Sequence, residues 1–99
     1  MIARIWHGRI RAADVTAYVD YVTQTGLKDY RATPGNRGAH ILARVDGDVA
    51  HVLTLSIWET AEAIQAFAGD DVTRARYYPE DRRFLLDFPE RVEHYDMPS

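Results

Sequence analysis

The stretch from residue 37 to residue 58 constrains the fold more than any other. Two runs rich in β-branched and apolar residues, 37–45 (RGAHILARV) and 49–58 (VAHVLTLSIW), flank Asp46-Gly47-Asp48. Strand-forming runs around such a turn predict a β-hairpin. A three-residue loop sets Val45 against Val49, Leu42 against Val52 and His40 against Thr54. Side chains alternate along a strand, so these pairs settle the faces. Arg44, Leu42, His40, Ala50, Val52, Thr54, Ser56 and Trp58 then share one side. Ala39, Ile41, Ala43, Val45, Val49, His51, Leu53, Leu55 and Ile57 share the other. A slip of one residue would undo these pairings.

The flanking segments complete a pattern around the hairpin. Residues 2–10 (IARIWHGRI) read as a first strand. Residues 12–26 read as a helix, because Val15, Tyr18, Val19 and Val22 repeat at one-face spacing. Asp14 suits its N-terminus, and Gly26 is placed to follow its C-cap. Pro34-Gly35-Asn36 turns the chain into the hairpin. Thr60 is a natural cap for a second helix over 61–68, with Gly69 ending it. A short helix is expected over 72–77, and a last strand over 91–97. The order β-α-β-β-α-β is the split βαβ pattern of ferredoxin-like α+β folds. It predicts a four-stranded antiparallel sheet with its helices on one face, in a single domain spanning residues 1–99.

One layer of helices covers one face of a sheet. Here neither face of the hairpin is cleanly polar, which an antiparallel sheet open to water would normally show. A second copy packing sheet against sheet resolves this, so a homodimer is expected.

Charge and composition narrow the function. Twelve basic and fifteen acidic residues interleave, for a net charge of −3, with no basic stripe suited to nucleic acid. The chain has no cysteine, which removes disulfides, thiolate metal sites and cysteine nucleophiles. No apolar run reaches the ~20 residues of a membrane helix, and Met1-Ile2-Ala3-Arg4 opens no signal peptide. The expected location is the cytoplasm. There is no phosphate-binding glycine loop and no nucleophile elbow around Ser56. His7, His40, His51 and His94 show no metal-ligand spacing, and no metal is expected.

The aromatic content points to a pocket. Trp6, Trp58, Tyr18, Tyr77, Tyr78 and Tyr95 are many for so short a chain. They suit either a filled core and dimer interface or a pocket for a flat ligand, with histidines as polar handles.

The initial strand MIARIWHGRI, the turn PGNRG, the junction LSIWETAEAIQAF and the tail YYPED…VEHYDM carry a resemblance. Over nearly its whole length the chain resembles the antibiotic biosynthesis monooxygenase family of the dimeric α/β-barrel superfamily. The resemblance implies a homodimer with a pocket in each subunit between sheet and helices. Some members of that family oxidise aromatic polyketides or quinols with O₂ and no metal or flavin; others bind and degrade haem. Trp58 matches the family's tryptophan at the end of the third strand. Thr54 stands where the oxygenases carry an asparagine. Tyr78 stands in for a substrate-binding tyrosine. His7 occupies about the place of the haem degraders' first-strand asparagine, and no histidine lies between His51 and His94 to match their second-helix histidine.

The expected activity is therefore a monooxygenase without a bound cofactor, acting on a small phenol, hydroquinone or polyketide-like substrate with O₂. The substrate would lie against Trp58, with Thr54, Tyr78 and Tyr18 around it. His7 or His40 would remove its phenolic proton, since histidine titrates near working pH. The alternative is a non-catalytic dimeric module that binds a small aromatic molecule or haem.

Overall fold

The computed structural model describes residues 1–98. Strand β1 (Ile2–Arg11) leads through a 3₁₀ turn into helix α1 (Val15–Val22). A wider π-type turn (Thr23–Leu27) then runs directly into α2 (Lys28–Ala32). Strands β2 (Asn36–Asp46) and β3 (Val49–Trp58) form the hairpin, and α3 (Ala61–Ala68) follows. A long strap carries the short α4 (Asp81–Phe84) before β4 (Glu93–Asp96). The sheet is antiparallel in the order β2-β3-β1-β4, as the ferredoxin-like reading requires.

Three local expectations are corrected. Gly26 does not end the first helix. It lies buried within the π turn, and the helix runs on to Ala32. Thr23 and Thr25 donate their hydroxyls to the carbonyls of Val19 and Tyr21, both at 2.8 Å, which supports backbone acceptors inside this stretch. The expected helix over 72–77 is absent, because Arg74 forms a bridge to Arg91 and Ala75 donates to the Glu90 carbonyl at 2.9 Å. Thr60 does cap α3, accepting from the Ala63 amide at 3.1 Å.

The third correction concerns the hairpin. Asp46 pairs with Val49, so the loop is two residues, Gly47 and Asp48. Gly47 has a φ of 65°, a conformation that glycine adopts at no steric cost. The shorter loop moves β2 by one place: Leu42 faces Leu53 and His40 faces Leu55.

The cross-strand pairs then define two faces. Arg4, Trp6, Ile10, Ala39, Ala50, Val52, Thr54, Ser56 and Trp58 are buried on the covered side, under the helices and the strap. Tyr18, Val22, Leu27, Tyr30, Ile64, Phe67, Leu85 and Val92 close over them as one core. Ile5, His7, Arg9, His40, Leu42, Arg44, His51, Leu53, Leu55, Ile57 and Tyr95 lie on the open side. Among the described residues no helix is long and apolar enough to cross a membrane.

Candidate functional site

The covered side of the sheet contains a cleft. Its floor is Arg4 and Trp6 of β1 with Thr54 of β3. One wall comes from the first helix: Tyr18, Val22, Thr25, Gly26 and Tyr30. The other comes from the strap: Arg76, Tyr77, Tyr78 and Asp81. Counted out to its mouth the cleft encloses about 390 Å³. The space open to the centre of a water molecule is about 30 Å³, room for one or two waters. An aromatic ring therefore enters only if a wall moves.

Hydrogen bonds tie the walls together. Asp81 sits at the start of α4 and is buried. Its carboxylate accepts from the Tyr18 hydroxyl at 2.9 Å and from the Tyr78 amide at 2.6 Å. Burial pushes the Asp81 carboxyl above the usual carboxylate range, against the pull of those two donors. The Tyr78 hydroxyl donates to Asp29 at 2.6 Å, and the Trp6 indole N–H donates to Tyr77 at 3.2 Å. Tyr77 in turn donates to the Pro89 carbonyl at 2.5 Å. Burial raises the phenols of Tyr18, Tyr77 and Tyr78, and nearby carboxylates add to the rise. All three remain neutral hydroxyls across the physiological range.

Arg4 is the polar centre of the floor. Only 2 % of it is exposed. One Nη2 donates to the Arg74 carbonyl at 2.9 Å, and the guanidinium lies 5.5 Å from the centre of the Phe67 ring. Burial lowers its pKa, but an arginine starts so high that it stays charged.

Trp58 is fully buried just beyond the cleft. It packs edge-on against Tyr30 at 6.2 Å and beside Phe67 at 6.0 Å between ring centres. Its indole N–H is satisfied by Ser56 Oγ at 2.9 Å. The Thr54 hydroxyl lies 3.3 Å from the hydroxyl of Tyr30.

Of the residues singled out from the sequence, Tyr18, Thr54 and Tyr78 come together in the cleft, with Trp58 against the Tyr30 side of it. His7 and His40 do not join them. His7 alternates with Trp6 and so emerges on the open face, where its Nε2 meets His51 Nδ1 at 2.9 Å. His40 was expected beside Thr54, but the two-residue loop turns it to the open face opposite Leu55. Five contributors went unnoticed as site residues in the sequence: Arg4, Tyr30, Arg76, Asp81 and the π turn. For Arg4 the signal was present, since strand alternation places it on the same side as Trp6. Tyr30 lay past the expected helix end, Arg76 sits in irregular chain with no periodicity to read, and Asp81 opens a helix of only four residues. Among the described residues no three His, Asp or Glu side chains converge as metal ligands.

No protein-family model and no curated protein matches the sequence. Solved structures do match its shape. A protein of Nitrosomonas europaea named as a candidate antibiotic biosynthesis monooxygenase superposes with a TM-score of 0.67, at 16 % identity over 100 % of both chains. A variant of MhuD with two manganese protoporphyrin IX molecules per active site gives 0.63 at 16 % identity, over 100 % of this chain and 96 % of the other. A further candidate antibiotic biosynthesis monooxygenase, from Bacillus cereus, gives 0.63 at 15 % identity, over 96 % of this chain and 87 % of the other. Likeness at this level of identity speaks for architecture alone: the chain has a ferredoxin-like α+β fold, shared with the two structures named as candidate antibiotic biosynthesis monooxygenases.

Proposed function

We propose that the chain is a monooxygenase that binds a small phenol, hydroquinone or anthrone-like molecule in the cleft and oxidises it with O₂, without a bound cofactor. The observation that carries this reading is the cleft itself, floored and walled by Trp6, Tyr18, Tyr30, Tyr77 and Tyr78. Aromatic walls with a few fixed polar groups suit a flat ring. Loss of a substrate proton gives an electron-rich anion that reduces O₂. One oxygen atom stays on the ring system and the other leaves as water. Neutral tyrosine hydroxyls and the Arg4 cation would stabilise that anion. The proton acceptor in this reading is Asp81. Burial raises the proton affinity of its carboxyl, and the Tyr18 and Tyr78 donors leave two of its acceptor sites unused. His7 and His40 stand across the sheet from the cleft, so they take no part in this step.

O₂ uptake by the purified, metal-free protein tests this with a panel of hydroquinones and anthrones. Uptake above autoxidation that falls at least tenfold in Asp81→Asn is the expected result. Uptake no faster than autoxidation across the panel would end the proposal.

One observation favours a second reading, ligand binding without turnover. Trp58 presents no face to the cleft, and its N–H is already satisfied. Stabilisation of the protein by panel members that consume no O₂ would support it. Haem is far larger than the room available in this conformation.

We also propose that the open face of the sheet packs against a second copy. Ile5, Leu53, Leu55 and Ile57 are only partly covered there, and Leu42 is 49 % and Tyr95 53 % exposed. A contiguous apolar patch of this kind marks an interaction surface. Sedimentation is expected to give twice the 11.3 kDa chain mass. Leu53→Lys, which sets an ammonium at the centre of the patch, is expected to give the monomer. A wild-type monomer at tens of micromolar concentration would overturn the assignment.

A further inference from the structure

Arg4 is a buried cation with no acidic partner among the described residues. Six ion pairs tie other arginines to carboxylates, at Arg9, Arg11, Arg37, Arg76, Arg83 and Arg91, and all of them lie at the surface. The one arginine removed from water has none. Of its five N–H donors, Nη2 reaches the Arg74 carbonyl, and the buried Nε–H has no partner among the described residues. His94, opposite Arg4 on β4, has a buried and unpartnered Nε2, and an imidazole, neutral or cationic, supplies no negative charge. An isolated buried charge is costly, and chains keep one where something completes it. Arg4 lines the cleft, and the side chains around it are mostly rings and hydroxyls. The one carboxylate in that lining is Asp81, which is already held by Tyr18 and Tyr78.

We propose that Arg4 is the anchor for a planar oxyanion on the cleft's aromatic ligand, either a carboxylate or the oxyanion of an acidic phenol or enol. This rests on the cleft being a site for small aromatic molecules, and it adds which of them are taken. A guanidinium fork suits such a group, because Nε and one Nη can donate in parallel to its oxygens. Phe67 backs the guanidinium at 5.5 Å and helps keep its plane in place. The second guanidinium of the cleft, Arg76, is occupied: it donates to the Phe67 carbonyl at 3.0 Å and pairs with Asp29 at 3.6 Å. Anion selectivity therefore belongs to Arg4.

Benzoate, ionised 4-nitrophenol and benzamide test this on the intact protein, with dissociation constants by calorimetry and side-chain Nε–H resonances by NMR. The ring is shared among the three and the charge is not. Expected is binding of benzoate, nitrophenolate or both at least tenfold tighter than benzamide, with a shift of the Arg4 Nε–H resonance on adding the anion. Which anion wins distinguishes carboxylate from phenolate recognition. Arg4→Met is expected to lose at least most of the tenfold preference for the anions over benzamide. Should that variant fail to fold, the wild-type preference and the resonance still decide. Equal affinity for benzamide and both anions overturns the role of Arg4 while leaving an aromatic site in place. A preference accompanied by movement of the Arg76 resonance alone also overturns it. Failure of all three probes to bind overturns the inference together with the reading on which it rests.

Discussion

Alanine at position 58 is expected to lower the free energy of unfolding by about 3–5 kcal/mol. Trp58 is completely buried, wedged between Tyr30 and Phe67, and no neighbouring helix can collapse into the space without pulling away from the sheet. The loss combines the apolar area of the indole with the cavity it leaves. For a chain of this length the whole stability is about 5–15 kcal/mol, so this change takes a fifth or more. Urea unfolding measures it as a fall in midpoint at unchanged slope. Trp58→Phe keeps most of the volume and loses the hydrogen bond to Ser56, so about 1 kcal/mol is expected from that term. A loss under 1 kcal/mol for the alanine variant would show that the indole is not the keystone its burial implies.

Gly8→Ala is expected to destabilise by about 1–3 kcal/mol, although it adds a single methyl group. A Cβ at position 8 would overlap Trp6 Cη2 and stand 2.6 Å from Trp6 Cζ2 and 3.0 Å from Leu85 Cδ2. The indole of Trp6 cannot step aside freely, since it is buried and bonded to Tyr77. Turning it breaks that bond and disturbs its edge contact with the Tyr77 ring. The methyl also stiffens the unfolded chain, which favours folding by about 0.4–1 kcal/mol and is too small to reverse the sign. Thermal unfolding gives the stability, and near-ultraviolet circular dichroism reports the displaced tryptophan. A variant as stable as the parent, with an unchanged tryptophan signal, would contradict the packing described for the cleft floor.

The fold was legible because its signals are periodic. The alternation of β1 and β3, the helical stripe through Tyr18 and Val22, and the Thr60 cap each state a local structure that the tertiary contacts then keep. The hairpin register was less legible. Asp46-Gly47-Asp48 is compatible with a loop of two or three residues, and one residue decides which face His40 takes. Thr54 and Trp58 share a strand face whatever the register, so they were placed together correctly, whereas the side of His40 depended wholly on the turn. His7 could have been separated from Trp6 by strand alternation alone. Asp81, Tyr77 and Arg76 belong to the strap, where position is set by contacts between distant segments, such as the Tyr18 hydroxyl reaching Asp81.

The π turn has a consequence for how this chain can vary. Between Tyr18 and Tyr30 a regular α-helix would accumulate a misalignment of roughly 120°. A single π turn takes up about one residue without advancing the helix face, which returns Tyr30 to within roughly 20° of Tyr18. Residues 23–27 thus hold one residue more than an α-helix of the same reach requires. Losing one there closes the turn and leaves Tyr30 facing the sheet; losing one elsewhere in the helix swings it away. A change of length is therefore tolerated at one place in this helix. Because Thr25 and Gly26 border the cleft, that same place lets a single deletion reshape the binding wall while the fold stays in register.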